Sequence, residues 1–417
     1  MQNLTITKPR GTFRRAISIS ARRGIVFTEL PLWIAFSFAF FISVSEAIFG
    51  ITLRNSLFLK HIPLLMFLPA FAFYIVGRII AGMPRIDFSG LITWLWPFLL
   101  IGIFATLGSL YARFVLDIQE TFLGLGIYLL LMPLFFIFGR EVGNTDKAVK
   151  PLLLLWGVAS CVSVVGSVRY FSEGAVLHSI EFLVQPFFLY CFFAQKKTSG
   201  KVFTFILLAL VTVLTQKLTG YINGVSAISY IGIAYLDANA SVKWKTTIRW
   251  ISVALLICTI SLSLVGFFYF REYLPSGSVE IRLHQYNNVF SAFLDSPIWG
   301  QAYTAPSGEV YVEYTHSLNI PTHSDILDLL KQGGVIALGL WLIGTISSIR
   351  LFLRCAATSS KTGPFFHAMA FLTISTALNC AVNPLFLTPT YAFVIWGSLA
   401  LALGIATDRR KGQFNEA

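Results

Sequence analysis

The chain has 417 residues, 56% of them hydrophobic and only 12% charged, against roughly 45–50% and 25% in soluble domains. That balance excludes an ordinary soluble domain. The net charge of +12 sits in clusters between apolar windows instead of on one basic face, which excludes a nucleic-acid surface as its explanation.

A hydrocarbon layer about 30 Å thick takes about 20 apolar residues per helix, and lipid offers no partner to a bare backbone. The windows therefore predict an all-α integral membrane protein with about twelve transmembrane helices. Residues 1–30 form a basic segment, with KPRGTFRRAISISARR expected on the cytoplasmic side. It is too basic, and the window after it too long, for a cleaved signal peptide, so Pro31 to Gly50 is expected as a retained helix. Further spans are predicted near Ile62–Met83, Leu91–Leu110, Phe122–Gly139, Pro151–Phe171, Leu177–Ala194, Val202–Gln216, Gly220–Leu236 and Ile248–Phe270. The pair meeting at LTQKLTGYING can be divided in more than one way. Residues 31–270 thus hold nine predicted helices, 271–334 a large loop between helices 9 and 10, 335–407 three more helices near Val335–Leu353, Phe365–Val382 and Pro389–Thr407, and 408–417 a basic tail.

Lys and Arg mark one side of this arrangement. The N-terminal cluster, the tail and alternate connections, among them Arg78, Arg140, Lys196 and Arg350, carry 23 of the 31, an asymmetry that predicts both termini in the cytoplasm. The large loop then lies outside. Five cysteines, Cys161, Cys191, Cys258, Cys355 and Cys380, fall in or beside predicted helices and are expected as small packing residues, not as a disulfide framework.

Polar chemistry concentrates toward the outer side. The stretch from Arg271 to Thr322 is the longest connection, and long ordered loops on a rigid scaffold carry binding or catalysis. Glu46, Arg169, Glu181 and Lys217 fall toward the outer ends of their windows, where they line a polar cavity or, alternatively, snorkel and pair structurally. No His-Glu-x-x-His, Cys-x-x-Cys, Gly-x-Ser-x-Gly or Walker loop occurs, so no metal site, hydrolase elbow or ATP-driven pump is indicated.

The triplet Thr-His-Ser occurs twice, at His316 and at His323. His316 lies ahead of a proline without helical period. At the second triplet, Thr322 is expected as N-cap with Asp325 three residues on. Ile326, Leu327, Leu329 and Leu330 would form the apolar stripe of a short amphipathic helix, which Gly333-Gly334 stops or bends into the next span. His323 would then lie in the first turn, where the helix dipole disfavours imidazolium and keeps a ring able to accept a proton. It is the stronger candidate base, although either histidine can be a surface bystander. Arg282 in the loop, Arg271 beside the membrane and Lys217 at a helix turn suit an anionic phosphate group, which guanidinium binds bidentately; a lone loop arginine can equally be only solvated.

Together these residues resemble the bacterial O-antigen ligase and polysaccharide polymerase superfamily. The first motif is Arg282 with Tyr286 four residues on, followed by Pro297-x-x-Gly300; the second is His323 with Leu327 and Gly334. Ser324 stands where the family has Asn, Ala337 where it has a second Gly, and Lys217 beside Leu218 where it has Arg. The resemblance implies a GT-C-like fold in the bacterial inner membrane. It also implies glycan transfer from an undecaprenyl-diphosphate-linked donor on the periplasmic face, without metal or other cofactor. His323 would be the catalytic base, Arg282, Lys217, Arg271 and Arg169 would bind the diphosphate, and His316, Tyr286 and Glu181 would support. A polymerase of O-antigen, capsule or exopolysaccharide repeats is the favoured reading; a ligase to the lipid A-core of lipopolysaccharide and a protein-glycosylating branch are its alternatives, with other polysaccharide-assembly proteins as further partners. A transporter or flippase is the reading from another class. It predicts internal repeats and midplane charges, which the sequence does not display.

Overall fold

The computed structural model describes residues 29–45, 59–80, 88, 90–118, 121–143, 149–172, 181–214, 218–239, 247, 276–306, 308–311, 318–321, 324–359, 361–381, 385 and 389–414. These hold twelve α-helices. They are α1 (Glu29–Ser45), α2 (Ile62–Ile80), α3 (Leu91–Val115), α4 (Leu123–Gly143), α5 (Val149–Ser172), α6 (Glu181–Ala194), α7 (Thr198–Leu214), α8 (Leu218–Asn239), α9 (Ser276–Asp295), α10 (Asp325–Thr358), α11 (Gly363–Cys380) and α12 (Pro389–Phe414). Eleven of the helices fall on predicted spans. The predicted span Ile248–Phe270 lies outside the described residues, and the twelfth helix, α9, stands in the first part of the large loop, ahead of the short helix expected there. Six helices, α2, α3, α4, α5, α10 and α12, are long and apolar enough to cross a membrane, with shorter apolar helices beside them; the protein is a multi-pass membrane protein. Helices α8 and α11 reach that length but break their apolar runs with Asn223 and Ser226, and with Thr373, Ser375, Thr376 and Asn379.

The all-α expectation has one exception. Gly308–Tyr311 (β1) and Leu318–Pro321 (β2) pair antiparallel in the loop, with Gly308 opposite Pro321 and Tyr311 opposite Leu318.

Helix α12 is the centre of the core: its window Thr390–Thr407 is buried throughout, and its main partner is α4. Small residues permit that approach. A Cβ on Gly404 would stand 2.1 Å from the carbonyl oxygen of Phe136, and one on Gly139 2.1 Å from that of Leu401. This is the close backbone packing that replaces the hydrophobic effect between helices in lipid. Beside it Phe36, Phe67, Phe135 and Phe393 interlock, Phe67 and Phe135 stacked at 4.1 Å and the others edge to face, in the offset and T-shaped geometries favoured by the ring quadrupole. At one end of the bundle Arg78 of α2 pairs with Glu141 of α4 and donates to the Tyr74 hydroxyl. Two residues assigned from sequence to the same side, Arg78 and Arg140, thus lie on helix ends joined by an ion pair.

Candidate functional site

At the opposite end, the two motifs meet through their backbones. Gly334 has φ 60° and ψ −161°, a break inside α10. In an unbroken helix the amides of Val335 and Ile336 would donate to the carbonyls of Lys331 and Gln332. Here they donate instead to Pro297 (2.9 Å) and Ile298 (3.4 Å), while Lys331 and Gln332 accept from Gln301 (2.9 Å) and Tyr303 (3.1 Å). The segment 297–303 is therefore spliced into the helix ladder, and these four backbone groups freed by the break regain partners, as a membrane protein requires.

The splice depends on the motif glycines. A Cβ on Gly334 would stand 2.3 Å from the Ile298 oxygen, and one on Gly300, at φ 61°, would stand 2.6 Å from both Gly334 N and the Lys331 oxygen. Ala302 and Tyr303 follow at positive φ, 50° and 60°, a strained conformation for residues with a Cβ. Gly108 of α3 receives this turn, since a Cβ there would meet the Ala302 oxygen at 2.0 Å. An apolar cavity of about 170 Å³ lies between α3 and the splice, lined by Ile101, Phe104, Trp299, Tyr303 and Leu340 among others.

The arm of α10 before the break corrects several expectations. Ser324, not Thr322, is the N-cap: its hydroxyl accepts from Leu327 N at 3.3 Å, so position 323 precedes the cap in the chain instead of lying in the first turn. Asp325 is then the first residue of the helix, not the third after its cap. Its carboxylate, 1% exposed, accepts from Leu385 N at 2.6 Å and from the Cys380 thiol, while the Ser324 hydroxyl also reaches the Cys380 carbonyl. Cys380 is thus part of the anchor and more than a packing residue. Of the expected apolar stripe, Leu329 is buried in the core while Ile326, Leu327 and Leu330 are half-buried, and the polar Asp325, Asp328, Lys331 and Gln332 are buried as well. Gln332 donates to the carbonyls of Ala305 and Pro306. Burial, reinforced by the Asp328 carboxylate, pushes the Tyr303 phenol above its ordinary 10.0.

Of the sequence-predicted site residues, His323, His316, Lys217 and Arg271 lie outside the described residues. Their flanks are placed: β2 ends at Pro321, two residues before His323, the Ser324 cap follows it directly, and α8 begins at Leu218 directly after Lys217. Arg282 is carried in the second turn of α9, which packs on α10, with Tyr286 half-buried one turn on and Gln285 and Val289 buried. Arg169 is exposed in the last turn of α5, and Glu181 opens α6. Sequence reasoning missed Ser324 and Asp325 as anchors. It also passed over a buried polar cluster in which Ser375 and Asn379 donate to the Asn223 side-chain oxygen at 2.9 and 2.8 Å. The available signal was amide side chains inside apolar windows, which are costly to leave unpaired away from water.

No match was found among curated proteins. The family described as O-antigen ligase (Wzy_C) matches residues 203–342. That span begins in α7 and ends in α10 beyond the splice, so it includes both motifs and the positions Lys217, Arg271, Arg282, Tyr286, His316 and His323, but not Arg169 or Glu181. Residues 203–342, about a third of the chain, are thus similar to the O-antigen ligase family, the same family that the two motifs resemble.

Proposed function

We propose that the protein transfers a glycan from an undecaprenyl-diphosphate-linked donor to a sugar hydroxyl on the periplasmic face of the bacterial inner membrane, and so polymerises surface-polysaccharide repeats. His323 takes the proton of the acceptor hydroxyl, whose oxygen attacks the anomeric carbon of the donor. The bond from that carbon to the diphosphate breaks, and the leaving diphosphate is held by Arg282, with Lys217, Arg271 and Arg169 adding positive charge and Tyr286, His316 and Glu181 in support. Guanidinium suits a leaving group on which charge develops. Both termini are cytoplasmic in this reading, in keeping with the shared side of Arg78 and Arg140.

The observation that carries the reading is the splice. It ties the Pro-x-x-Gly motif that follows Arg282 to the Gly-Gly that follows His323, so Gly300 and Gly334, 34 residues apart in the chain, are joined through backbone hydrogen bonds, and rigid support is what a reacting pair needs. A second reading, ligation to lipid A-core, is favoured by the description of the matched family itself.

Purified protein given only a carrier-linked repeat is expected to produce a ladder of longer glycans. No product until lipid A-core is added would assign the ligase instead. His323→Ala is expected to lower transfer about 10²-fold or more, the usual contribution of a general base, and Arg282→Ala by a similar factor. Unchanged transfer by His323→Ala would remove the base.

A further inference from the structure

Helices α6, α8 and α11 share a seam built in layers. Leu189, Ala227 and Phe371 form one apolar layer. One turn away in one direction, Phe193 stacks on His367 at 4.1 Å while the Tyr230 hydroxyl meets His367 Nδ1 at 2.9 Å. Residues four apart share a helix face, so one turn in the other direction the same faces carry Gln185, Asn223 and Ser375. That layer is polar, uncharged and buried. Asn223 accepts from Ser375 and Asn379, yet its own side-chain nitrogen, both polar atoms of Gln185 and the hydroxyl of Ser226, one turn along α8, have no hydrogen-bond partner among the described residues. Gln185 and Asn223 are 0% exposed, and Ser226 is 9% exposed.

The layer lies at the loop end of the bundle. Asn379 adjoins Cys380, whose carbonyl accepts from Ser324 and whose thiol meets Asp325. Gln185 is one turn from Glu181, and Asn223 is six residues after Lys217. A buried amide without a partner costs about 1–3 kcal/mol, so this layer is the one along the seam that gains most when the helix ends part and a hydrogen-bonding ligand enters. Its chemistry selects that ligand. A diphosphate calls for Lys or Arg and a hydrocarbon chain for apolar walls, whereas neutral amides and hydroxyls, donors and acceptors together, match a neutral polyhydroxyl group.

We propose that Gln185, Asn223 and Ser226 form a sugar-hydroxyl subsite that binds the glycan of the donor or acceptor beside the reacting centre. This rests on the glycan-transfer reading above. Gln185 and Ser226 are the specificity residues to test, because neither side chain holds a hydrogen bond among the described residues.

The test measures binding to the purified full chain by thermal shift with three probes: undecaprenyl diphosphate, the same carrier bearing an oligosaccharide of the host's surface repeat, and that oligosaccharide free of lipid. The expected result is that wild type binds the glycan-bearing carrier more tightly than the bare one. Gln185→Leu should unfold at or above the wild-type temperature without ligand, bind the bare carrier as wild type does, and bind a glycan-bearing probe about tenfold more weakly. Weakening toward lipid-free oligosaccharide assigns the acceptor glycan, and weakening confined to the carrier-linked form assigns the donor. Ser226→Ala serves as the second variant, and decides the matter if Gln185→Leu does not fold. Wild-type binding of the glycan-bearing carrier by both variants would mean that the layer is only hydrated, and would overturn the subsite while leaving glycan transfer in place. Equal binding of bare and glycan-bearing carrier by wild type would overturn it too. Binding of none of the three probes would sink the transfer reading and the subsite together.

Discussion

Tyr303 concentrates the strain of the splice in one residue. Its backbone is left-handed, its ring is buried against Phe122, and its hydroxyl has no partner among the described residues. Burial first, and the Asp328 carboxylate second, hold the phenol protonated beyond its ordinary 10.0. Above pH of about 10 the unfolded chain releases this proton while the folded one keeps it, so the folded state binds more protons and stability falls as pH rises. Tyr303→Phe is expected to flatten that part of the alkaline slope and, by removing an unpaired buried hydroxyl, to leave the unfolding temperature at pH 7 unchanged or higher. Melting curves of both proteins in detergent between pH 7 and pH 11 check this; a Phe variant that melts lower at pH 7 would mean that the hydroxyl has a partner.

Helix α10 depends on the break at Gly334. Its four substituted backbone hydrogen bonds exist only because residues 300 and 334 carry no Cβ and accept positive φ. Gly334→Ala adds a left-handed alanine and drives its Cβ into the Ile298 carbonyl, so it is expected to destabilise the protein by about 2 kcal/mol or more, seen as a lower unfolding temperature. An unchanged melting point would mean that the helix runs straight without penalty. The bend itself was legible in sequence, because Gly-Gly inside an apolar period has few other readings. The partner that fills it was not: Pro297 to Tyr303 has no periodicity, and only the fold brings it to the exposed ladder. The true cap was equally hidden, since Thr322 and Ser324 are both good N-cap residues and the contacts of Ser324 and Asp325 with Cys380 and Leu385 decide between them.

At the scale of the whole molecule, α12 is wrapped by its neighbours and the chain assembles around it. Gly404→Val would place branched carbons where even a Cβ stands 2.1 Å from the Phe136 oxygen. The α4–α12 contact has no side chain that can yield there, so the expected outcome is aggregated protein in size-exclusion chromatography, whereas a monodisperse, normally melting variant would show that the two helices can separate at little cost. By itself the sequence determined the membrane class, most of the spans and the two motifs that resemble the O-antigen ligase family. Apolar run length, charge asymmetry and motif spacing are properties of the chain read in order, and lipid leaves the backbone few alternatives. Only the tertiary structure decided that the Gly-Gly break is mended by the Pro-x-x-Gly segment, that Asp325, Asp328, Lys331 and Gln332 of α10 are buried, and that Gln185, Asn223 and Ser375 share a layer. Those facts depend on which helix faces meet across tens or hundreds of residues, and hydrogen bonds between them are formed by packing, which no local period encodes.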